Sequence, residues 1–221
     1  MPLYKTQGIV IKSYNYGEAN KILVIFTRDY GKIRAVAKGI RRTKSKFGAS
    51  LELFSCSNIM VHWKENSDLY LITQTSIVNS FKKIRNDLEK ICRGSYMLEI
   101  INEMLPERAK HANIYYLLCG ALTLLESDMD PEKIMRWYEI KMLEFLGFGL
   151  RTSRCVSCRN AAIDKNKSCV NFRLGGILCS ACSSNHEHSA TVSKNAIDLL
   201  NTIKSADGKI IINCDLSSEM N

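Results

Sequence analysis

The chain has no long run of apolar residues. Its longest, residues 114–125, is interrupted by Cys119 and Gly120, whereas a helix that crosses a bilayer needs about 20 consecutive apolar residues. The sequence has no G-x-x-x-x-G-K phosphate loop, and we recognise no secretory signal peptide at its start. We therefore expect a cytoplasmic protein, not associated with a membrane, that is not a P-loop nucleotide hydrolase.

Residue groups typical of catalytic centres are also scarce. The triplet His186-Glu187-His188 follows Cys182 closely, but it lacks the spacing of a catalytic zinc helix and is more typical of an exposed polar loop. The carboxylates in the middle of the chain lie at helical spacing or near a predicted cap, where surface and capping roles explain them. We expect a protein that is not an enzyme.

Four of the nine cysteines form two C-x-x-C pairs, Cys155 with Cys158 and Cys179 with Cys182, and twenty residues separate the pairs. Two such turns can surround one ion with four thiolates at metal–sulfur distances of about 2.3 Å, and the spacing lies in the range of four-cysteine zinc sites. Because four sulfur ligands leave no position for water, we expect one structural Zn²⁺ ion. The glycine pair before the second turn is typical of a zinc ribbon at about residues 152–185.

Disulfide pairing is the alternative for these cysteines. The odd number of cysteines and the expected cytoplasmic location favour zinc. Cys169 has no C-x-x-C partner, and we predict that it is a small strand residue and not a ligand. The remaining cysteines stand in apolar contexts and are predicted to fill cores: Cys56, Cys92, Cys119 and Cys214.

Positive charge is concentrated near the start of the chain. The formal net charge is +9, and the first 80 residues hold twelve Lys and Arg against five Asp and Glu. Between residues 28 and 46 the single acidic residue is Asp29. The basic residues of this stretch are Arg28, Lys32, Arg34, Lys38, Arg41, Arg42, Lys44 and Lys46. We predict that they bind nucleic-acid phosphates, the alternative being a solvated loop.

Four aromatic residues lie beside these basic residues in the sequence: Tyr14, Tyr16, Tyr30 and Phe47. Aromatic rings next to cations are typical of surfaces on which unpaired bases stack. The alternative is that these rings belong to a core or anchor a loop.

The first 80 residues are predicted to form five short strands, at residues 7–11, 21–27, 33–37, 57–63 and 69–78. Turn residues separate them at 15–17, 28–31 and 65–68. Five strands favour a small barrel, and the OB-fold is the five-stranded barrel that often binds nucleic acid, although another small barrel or meander remains open. Its long connection between the third and fourth strands would be the basic residues 38–50.

The hydrophobic period changes to three and four from Ile84 onward, which predicts helices. We expect helices from about residue 84 to 105, from 113 to 126, from Pro131 to Gly147, and after Ser193. The predicted fold class is α+β and multidomain. A five-stranded OB-fold barrel occupies residues 1–80, and a helical domain containing the zinc ribbon occupies residues 81–221.

Several stretches of this sequence resemble one bacterial family, RecO. The N-terminal stretches are TQGIVI at residues 6–11, GEANKI with FTRDYG between residues 17 and 31, and AVAKGIRRTKSKFG at residues 35–48. YEIKML at residues 138–143, LGF at 146–148 and the two C-x-x-C pairs follow in the order expected for the same family. The resemblance covers nearly the whole chain.

The resemblance implies a mediator of DNA repair and homologous recombination that has no catalytic activity. Such a protein binds single- and double-stranded DNA without sequence preference and anneals complementary strands. With RecR it helps RecA filaments replace single-strand-binding protein, so RecR, single-strand-binding protein and RecA are the implied partners, at the nucleoid. An RNA- or ribosome-associated protein is the alternative, since a basic barrel and a zinc ribbon would serve RNA equally well.

Overall fold

A computed structural model of the chain describes residues 3–63, 68–160 and 169–206. The chain divides into two compact units, Met1–Pro131 and Glu132–Asn221. None of the helices in these described ranges is long and apolar enough to cross a membrane.

The first unit begins with five strands: β1 (Leu3–Tyr16), β2 (Asn20–Thr27), β3 (Gly31–Ala37), β4 (Cys56–His62) and β5 (Leu69–Asn79). They form a closed barrel in the order β1-β2-β3-β5-β4, in which β3 and β5 run parallel and the other neighbours run antiparallel. This confirms the predicted five-stranded OB-fold barrel. The predicted turn at residues 65–68 lies outside the described residues except for Asp68.

Alternation along the strands places apolar side chains inside the barrel. Leu23 and Ile25 of β2 and Ile33 of β3 belong to one buried cluster, because residues two apart on a strand face the same side. Full burial of a side chain of this size stabilises the fold by about 1.5–3 kcal/mol. The residues between them, including Val24 and Arg34, therefore face outward.

Glycine is required where β2 turns into β3. Gly31 has a φ of +66°, and a Cβ atom there would lie 2.1 Å from the carbonyl oxygen of Ala109. Any side chain would be strained by the backbone conformation and would also displace the segment before α3. The turn residue that sequence patterning identifies is thus also a packing residue.

Helices cover one side of this barrel: α1 (Lys82–Arg85), α2 (Leu88–Met104) and α3 (Ala112–Leu125). The side chain of Asp87 caps α2 by accepting a hydrogen bond from the Lys90 amide at 3.1 Å. The Tyr115 hydroxyl of α3 donates to Oε1 of Gln7 on β1. The centre of the Tyr115 ring lies 5.9 Å from the centre of the Phe26 ring on β2. Part of the outer barrel surface is therefore buried by protein.

The second unit contains α4 (Pro131–Phe145), β6 (Cys169–Asn171), β7 (Gly176–Leu178), α5 (Ser180–Ser183), β8 (Ser189–Thr191) and α6 (Lys194–Ser205). The α4 helix ends where Gly147 adopts a φ of +85° and the Phe148 amide donates to the Leu143 carbonyl at 2.8 Å. The side chain of Ser193 caps α6. These observations agree with the predicted end of α4 at Gly147 and the predicted start of α6 after Ser193.

The short strands of the second unit form a sheet in the order β7-β6-β8. Its small core consists of Val170, Ile177 and Ile197 of α6. Because so few residues are buried here, packing alone provides little stabilisation, which is the usual reason for a bound metal in a ribbon of this size.

One cysteine that the sequence predicts to be buried is exposed. Cys92, predicted to fill a core, is instead exposed on α2, because the apolar residues of α2 bury a different face that includes Gly94, Met97 and Leu98. Cys214 lies outside the described residues.

The predicted domain boundary at residue 80 falls between β5 and α1 and stays a prediction, although α1 to α3 share a compact unit with the barrel.

Candidate metal centre and nucleic-acid interface

Four cysteines of the second unit converge at one point. The sulfur atoms of Cys155, Cys158, Cys179 and Cys182 all lie within 4.8 Å of one another, and those of Cys158 and Cys179 are 3.8 Å apart. A tetrahedral ion with metal–sulfur bonds of about 2.3 Å requires sulfur–sulfur separations of roughly 3.8 Å. The four predicted ligands therefore form a group that could hold a metal ion.

Backbone contacts position the two cysteine turns. The Val156 amide donates to the Ile177 carbonyl of β7 at 2.9 Å, and the Cys179 amide donates to the Cys155 sulfur at 3.4 Å. Gly176 permits the close approach, since a Cβ atom there would lie 2.4 Å from Val156 and 2.5 Å from the Arg151 carbonyl oxygen. The glycine noted in the sequence thus brings the first turn against β7.

Hydrogen bonds within the four-cysteine group shift the thiol pKa values of Cys155 and Cys182 in opposite directions. Burial raises the pKa of Cys155, but the backbone N–H groups of Cys158, Cys179 and Ser157 outweigh it and lower that pKa to about 6. Hydrogen bonds to Cys179 and Cys158 raise the pKa of Cys182 to about 12, so a second thiolate beside the first is disfavoured. A bound cation reverses this preference, because a coordinating thiol is deprotonated.

Cys169 is not part of the group. It begins β6, and its sulfur lies 3.9 Å from the Thr191 hydroxyl of β8. The prediction that it is a strand residue is confirmed. His186, predicted to lie in a polar loop, has its Nε2 3.1 Å from the Ser157 hydroxyl inside the first cysteine turn.

Cationic and aromatic side chains share the outer face of β1, β2 and β3 in the first unit. Strand pairing aligns Lys12 with Val24 and Arg34 in one row, and Tyr14 with Ile22 and Val36 in the next. Directly opposed residues lie on the same face of a sheet. We call the exposed residues of this surface, Lys12, Tyr14, Tyr16 and Arg34, the barrel face. Both tyrosines are about half exposed.

The basic connection after β3 adjoins the barrel face. The Gly39 amide donates to the Asn20 side chain at 2.8 Å, and the Arg41 guanidinium donates to the Gly17 carbonyl at 3.3 Å, so the connection is held against the β1–β2 turn. Farther along, the Lys46 ammonium donates to the Thr73 carbonyl of β5 at 2.8 Å. Arg41 and Lys46 therefore also anchor the loop.

The other cations of this region project without acidic partners. Within the described residues Arg34, Lys38, Arg42 and Lys44 are exposed and form no ion pair. A phosphate can therefore approach these cations without breaking an ion pair within the described residues. These four are the predicted DNA-binding residues best placed to meet an anion.

Lys32 and Arg28 lie elsewhere. Lys32, predicted to bind DNA, is only 7% exposed, and its ammonium donates to the Asn102 carbonyl near the end of α2, so it is not available to a phosphate. Arg28 follows β2 at the opposite end of the barrel, about 20 Å from Lys38 along a seven-residue strand, and it pairs with Asp29 at 3.2 Å. The basic residues between 28 and 46, which are close in sequence, therefore do not all lie on one surface.

The four aromatic candidates divide in the same way. Phe47 is buried in the barrel core, and Tyr30 is partly buried with its ring 5.4 Å from that of Tyr4. Lys12 was missed because it precedes the basic stretch; its ammonium lies 5.7 Å from the centre of the Tyr14 ring. The alternation of Lys12, Tyr14 and Tyr16 at a period of two was the signal that could have identified it.

Comparison with known proteins covers both units. Residues 1–81 match the family model "Recombination protein O N terminal" and residues 85–209 match "Recombination protein O C terminal". The chain is 36% identical over 210 residues to the DNA repair protein RecO of Symbiobacterium thermophilum, covering 94% of this chain and 82% of that protein. It is also 34% identical to the protein of the same name from Acetivibrio thermocellus, over 92% of this chain and 80% of the relative.

A third relative spans the whole sequence. The DNA repair protein RecO of Caldicellulosiruptor saccharolyticus is 30% identical over 221 residues, which cover all of this chain and 88% of that protein. The family models match most of the chain, and the barrel, the helices and the four-cysteine group agree with the resemblance seen in the sequence. The chain therefore belongs to the RecO family of DNA repair proteins.

Proposed function

We propose that this chain is a non-enzymatic mediator of DNA repair and recombination that binds single- and double-stranded DNA without sequence preference and anneals complementary strands. The observation that carries the proposal is the barrel face, where the exposed rings of Tyr14 and Tyr16 lie in rows beside Lys12 and Arg34 on an OB-fold barrel. Stacking on aromatic rings accepts every base, and contacts to phosphates carry no sequence information.

Annealing by such a surface needs no catalytic group. Cations of the barrel face and of the adjoining loop, among them Lys38, Arg42 and Lys44, neutralise phosphates of two strands and reduce their mutual repulsion. Bases that stack only transiently keep their pairing edges accessible to the complementary strand. The proposed activity therefore depends on charge placement and not on bond-making residues.

The partners and the metal are part of the same proposal. We propose that the chain acts with RecR to help RecA replace single-strand-binding protein on DNA, which the family membership supports. We propose that the four-cysteine group holds one Zn²⁺ ion, because four thiolates in tetrahedral reach match the preference of that ion. With all four positions filled by sulfur, its role is to stabilise the second unit.

The test measures annealing of two labelled complementary strands, each coated with single-strand-binding protein. We expect the wild-type chain to accelerate duplex formation and the triple variant Arg34→Ala, Arg42→Ala, Lys44→Ala to lose most of that acceleration. The control is Lys82→Ala, Lys83→Ala, Lys194→Ala, which removes the same charge from exposed positions elsewhere and is expected to anneal normally. Equal loss of acceleration in both variants would show that net charge alone, and not the position of the cations, causes the effect.

Absence of acceleration by a folded, metal-loaded wild-type chain at low salt would contradict the proposal. A competition between single-stranded DNA and RNA of the same sequence then decides whether the alternative function applies. A clear preference for RNA would support the RNA-binding alternative.

A further inference from the structure

The turn between β6 and β7 projects apolar and cationic side chains from the second unit. Phe172 is 68% exposed, Leu174 is also exposed, and Arg173 stands between them. Arg151 lies beside this turn. Its amide donates to the Gly175 carbonyl at 2.9 Å, and Arg151 forms an isolated parallel β-bridge with Gly176. We call Arg151, Phe172, Arg173 and Leu174 the ribbon tip.

The ribbon tip has a fixed backbone. Asn171 is 2% exposed, and its side-chain oxygen accepts the Leu174 amide at 2.9 Å. Its side-chain nitrogen donates to the Glu187 carbonyl at 3.0 Å and to the Ser189 hydroxyl at 3.1 Å. A satisfied buried amide of this kind holds the turn in one conformation. These hydrogen bonds therefore hold the turn in a conformation in which Phe172 is exposed to solvent.

The charge near the ribbon tip is one-sided. Residues 150–160 and 169–192 contain four arginines and one acidic residue, Glu187, and none of these arginines forms an ion pair within the described residues. A divalent ion with four thiolates adds a formal charge of about −2. Arg154 and Arg159 flank the first cysteine turn in sequence, where they can offset that charge. Arg151 and Arg173 remain for an anionic ligand.

An exposed aromatic ring beside unpaired guanidinium groups has the chemistry of a site for unpaired nucleotides. The ring offers a stacking surface for a base, and the arginines offer donors to the phosphates on either side. Double-stranded DNA would use the arginines but leave Phe172 in solvent, because its bases are already stacked. The combination therefore selects a single strand.

We propose that the ribbon tip is a second contact site for single-stranded DNA, with a base stacked on Phe172 and phosphates held by Arg151 and Arg173. The inference rests on the proposed function, since a protein that anneals two strands benefits from a nucleic-acid contact on each of its units. It assigns a binding role to the four-cysteine ribbon in addition to its metal, which then keeps the tip in shape.

The test compares full-length, metal-loaded variants in fluorescence anisotropy titrations with labelled single-stranded DNA. We expect Phe172→Ala to weaken binding about fivefold or more, and Phe172→Trp to restore it. Arg173→Ala should flatten the slope of log affinity against log salt by roughly 0.7. The matched control is Phe148→Ala in the same unit, which removes a ring that is 65% exposed and should leave affinity unchanged.

A direct readout accompanies the titrations. DNA carrying 5-iododeoxyuridine is cross-linked by light to the wild-type chain, and the peptide that contains Phe172 is expected among the products. Metal content and melting temperature should be the same in all variants. Unchanged affinity of Phe172→Ala together with no cross-link at residues 169–178 would overturn the inference.

The two proposals fail separately. Loss of binding in the Arg34, Arg42, Lys44 variant with normal binding in the ribbon-tip variants would leave the proposed function standing and reject the ribbon-tip site. Loss in the ribbon-tip variants alone would support the ribbon-tip site and reject the barrel face with its adjoining loop as the DNA-binding surface. Tighter cross-linking of RNA than of DNA at Phe172 would overturn the choice of ligand.

Discussion

Lys32 and Arg34 are neighbours on β3 with opposite environments. Arg34 is exposed on the barrel face, whereas the buried Lys32 ammonium donates to the Asn102 carbonyl, one of the last carbonyls of α2 that the helix itself leaves without a donor. Burial is the main influence on Lys32 and lowers its pKa. We therefore expect these two basic positions on β3 to serve different purposes, Lys32 stability and Arg34 DNA binding.

We predict that Lys32→Ala lowers the free energy of unfolding by roughly 1–3 kcal/mol, because it removes the hydrogen bond from the buried ammonium to the half-buried Asn102 carbonyl. DNA affinity should not change. Arg34→Ala is the matched control and should show the reverse pattern, with normal stability and weaker DNA binding. Urea denaturation and DNA titration of both variants check this; weaker binding by a normally stable Lys32→Ala protein would contradict it.

Asp29 is held in its charged form. The Arg28 guanidinium donates to both carboxylate oxygens at 3.2 Å and Thr6 donates at 2.8 Å, and the Arg28 contact lowers the Asp29 pKa below 3.8. Because the folded-state pKa is the lower one, the stabilisation is fully present above pH 3.8 and is lost as the pH falls through the folded-state value.

We therefore predict that Asp29→Asn is less stable than the wild type at pH 7, by about 1 kcal/mol or less for this partly exposed pair. The difference should shrink as the pH falls below about 4. A carboxyl NMR titration gives the Asp29 pKa directly, and Arg28→Ala should raise it toward its ordinary value. An Asp29 pKa at or above 3.8 in the wild type would show that the pair is not formed in solution.

Single residues also mark the limit of what the sequence predicts. Identity and spacing were enough to predict that the four cysteines form one group, because each C-x-x-C pair is brought together by a local turn. They were not enough for Lys32 or Phe47, whose burial depends on a helix and a core far away in sequence. Lys12 was overlooked for a related reason, since its neighbours across the sheet are not its neighbours along the chain.

At the scale of elements, β1 is the least well predicted strand. The apolar pattern predicted residues 7–11, but β1 runs from Leu3 to Tyr16 with an irregularity between Val10 and Lys12. Its second half is polar and aromatic, so pairing with β2 and not an apolar pattern extends it. The extension matters for the proposed function, because it carries Lys12, Tyr14 and Tyr16.

The helices were better predicted because their ends have local chemical signals. Ser193 precedes α6, Pro131 opens α4, and Gly147 ends α4 through a positive φ. Each signal acts within a few residues, so no tertiary contact is needed to recognise it. Which helices accompany the barrel was not predictable in this way, since that depends on contacts such as Tyr115 with Gln7.

The ribbon strands β6, β7 and β8 have three residues each and share a small core, so we expect them to depend on a metal held by the four cysteines. We predict about one zinc per chain, and on chelation we expect faster amide exchange at residues 169–191 with little change in β1 to β5, because the barrel has its own core. Cys155→Ser should lose the metal, whereas Cys169→Ser should retain it. Elemental analysis and hydrogen exchange check both; uniform loosening of both units would contradict a local role.

At the scale of the whole molecule, the charge that matters is local. The first 80 residues contain an excess of seven basic residues, residues 81–150 hold ten basic against eleven acidic residues, and the excess returns after residue 150. Exposed cations on the barrel face and on the ribbon tip account for part of this pattern, and Lys32 and Asp29 show that another part belongs to folding. Net charge alone therefore overestimates the extent of the proposed DNA-binding surface.

The salt dependence of binding measures that surface. Each cation that contacts a phosphate of single-stranded DNA contributes about 0.7 to the slope of log affinity against log salt. We predict that the variant lacking Arg34, Arg42 and Lys44 flattens the slope by roughly 2, equally for DNA of different sequences, since phosphate contacts are blind to sequence. The variant lacking Lys82, Lys83 and Lys194 has the same net charge and should keep the wild-type slope. Equal flattening in both variants would mean that the whole molecule attracts DNA as a diffuse cation, and a loss confined to particular sequences would mean that the side chains contact bases.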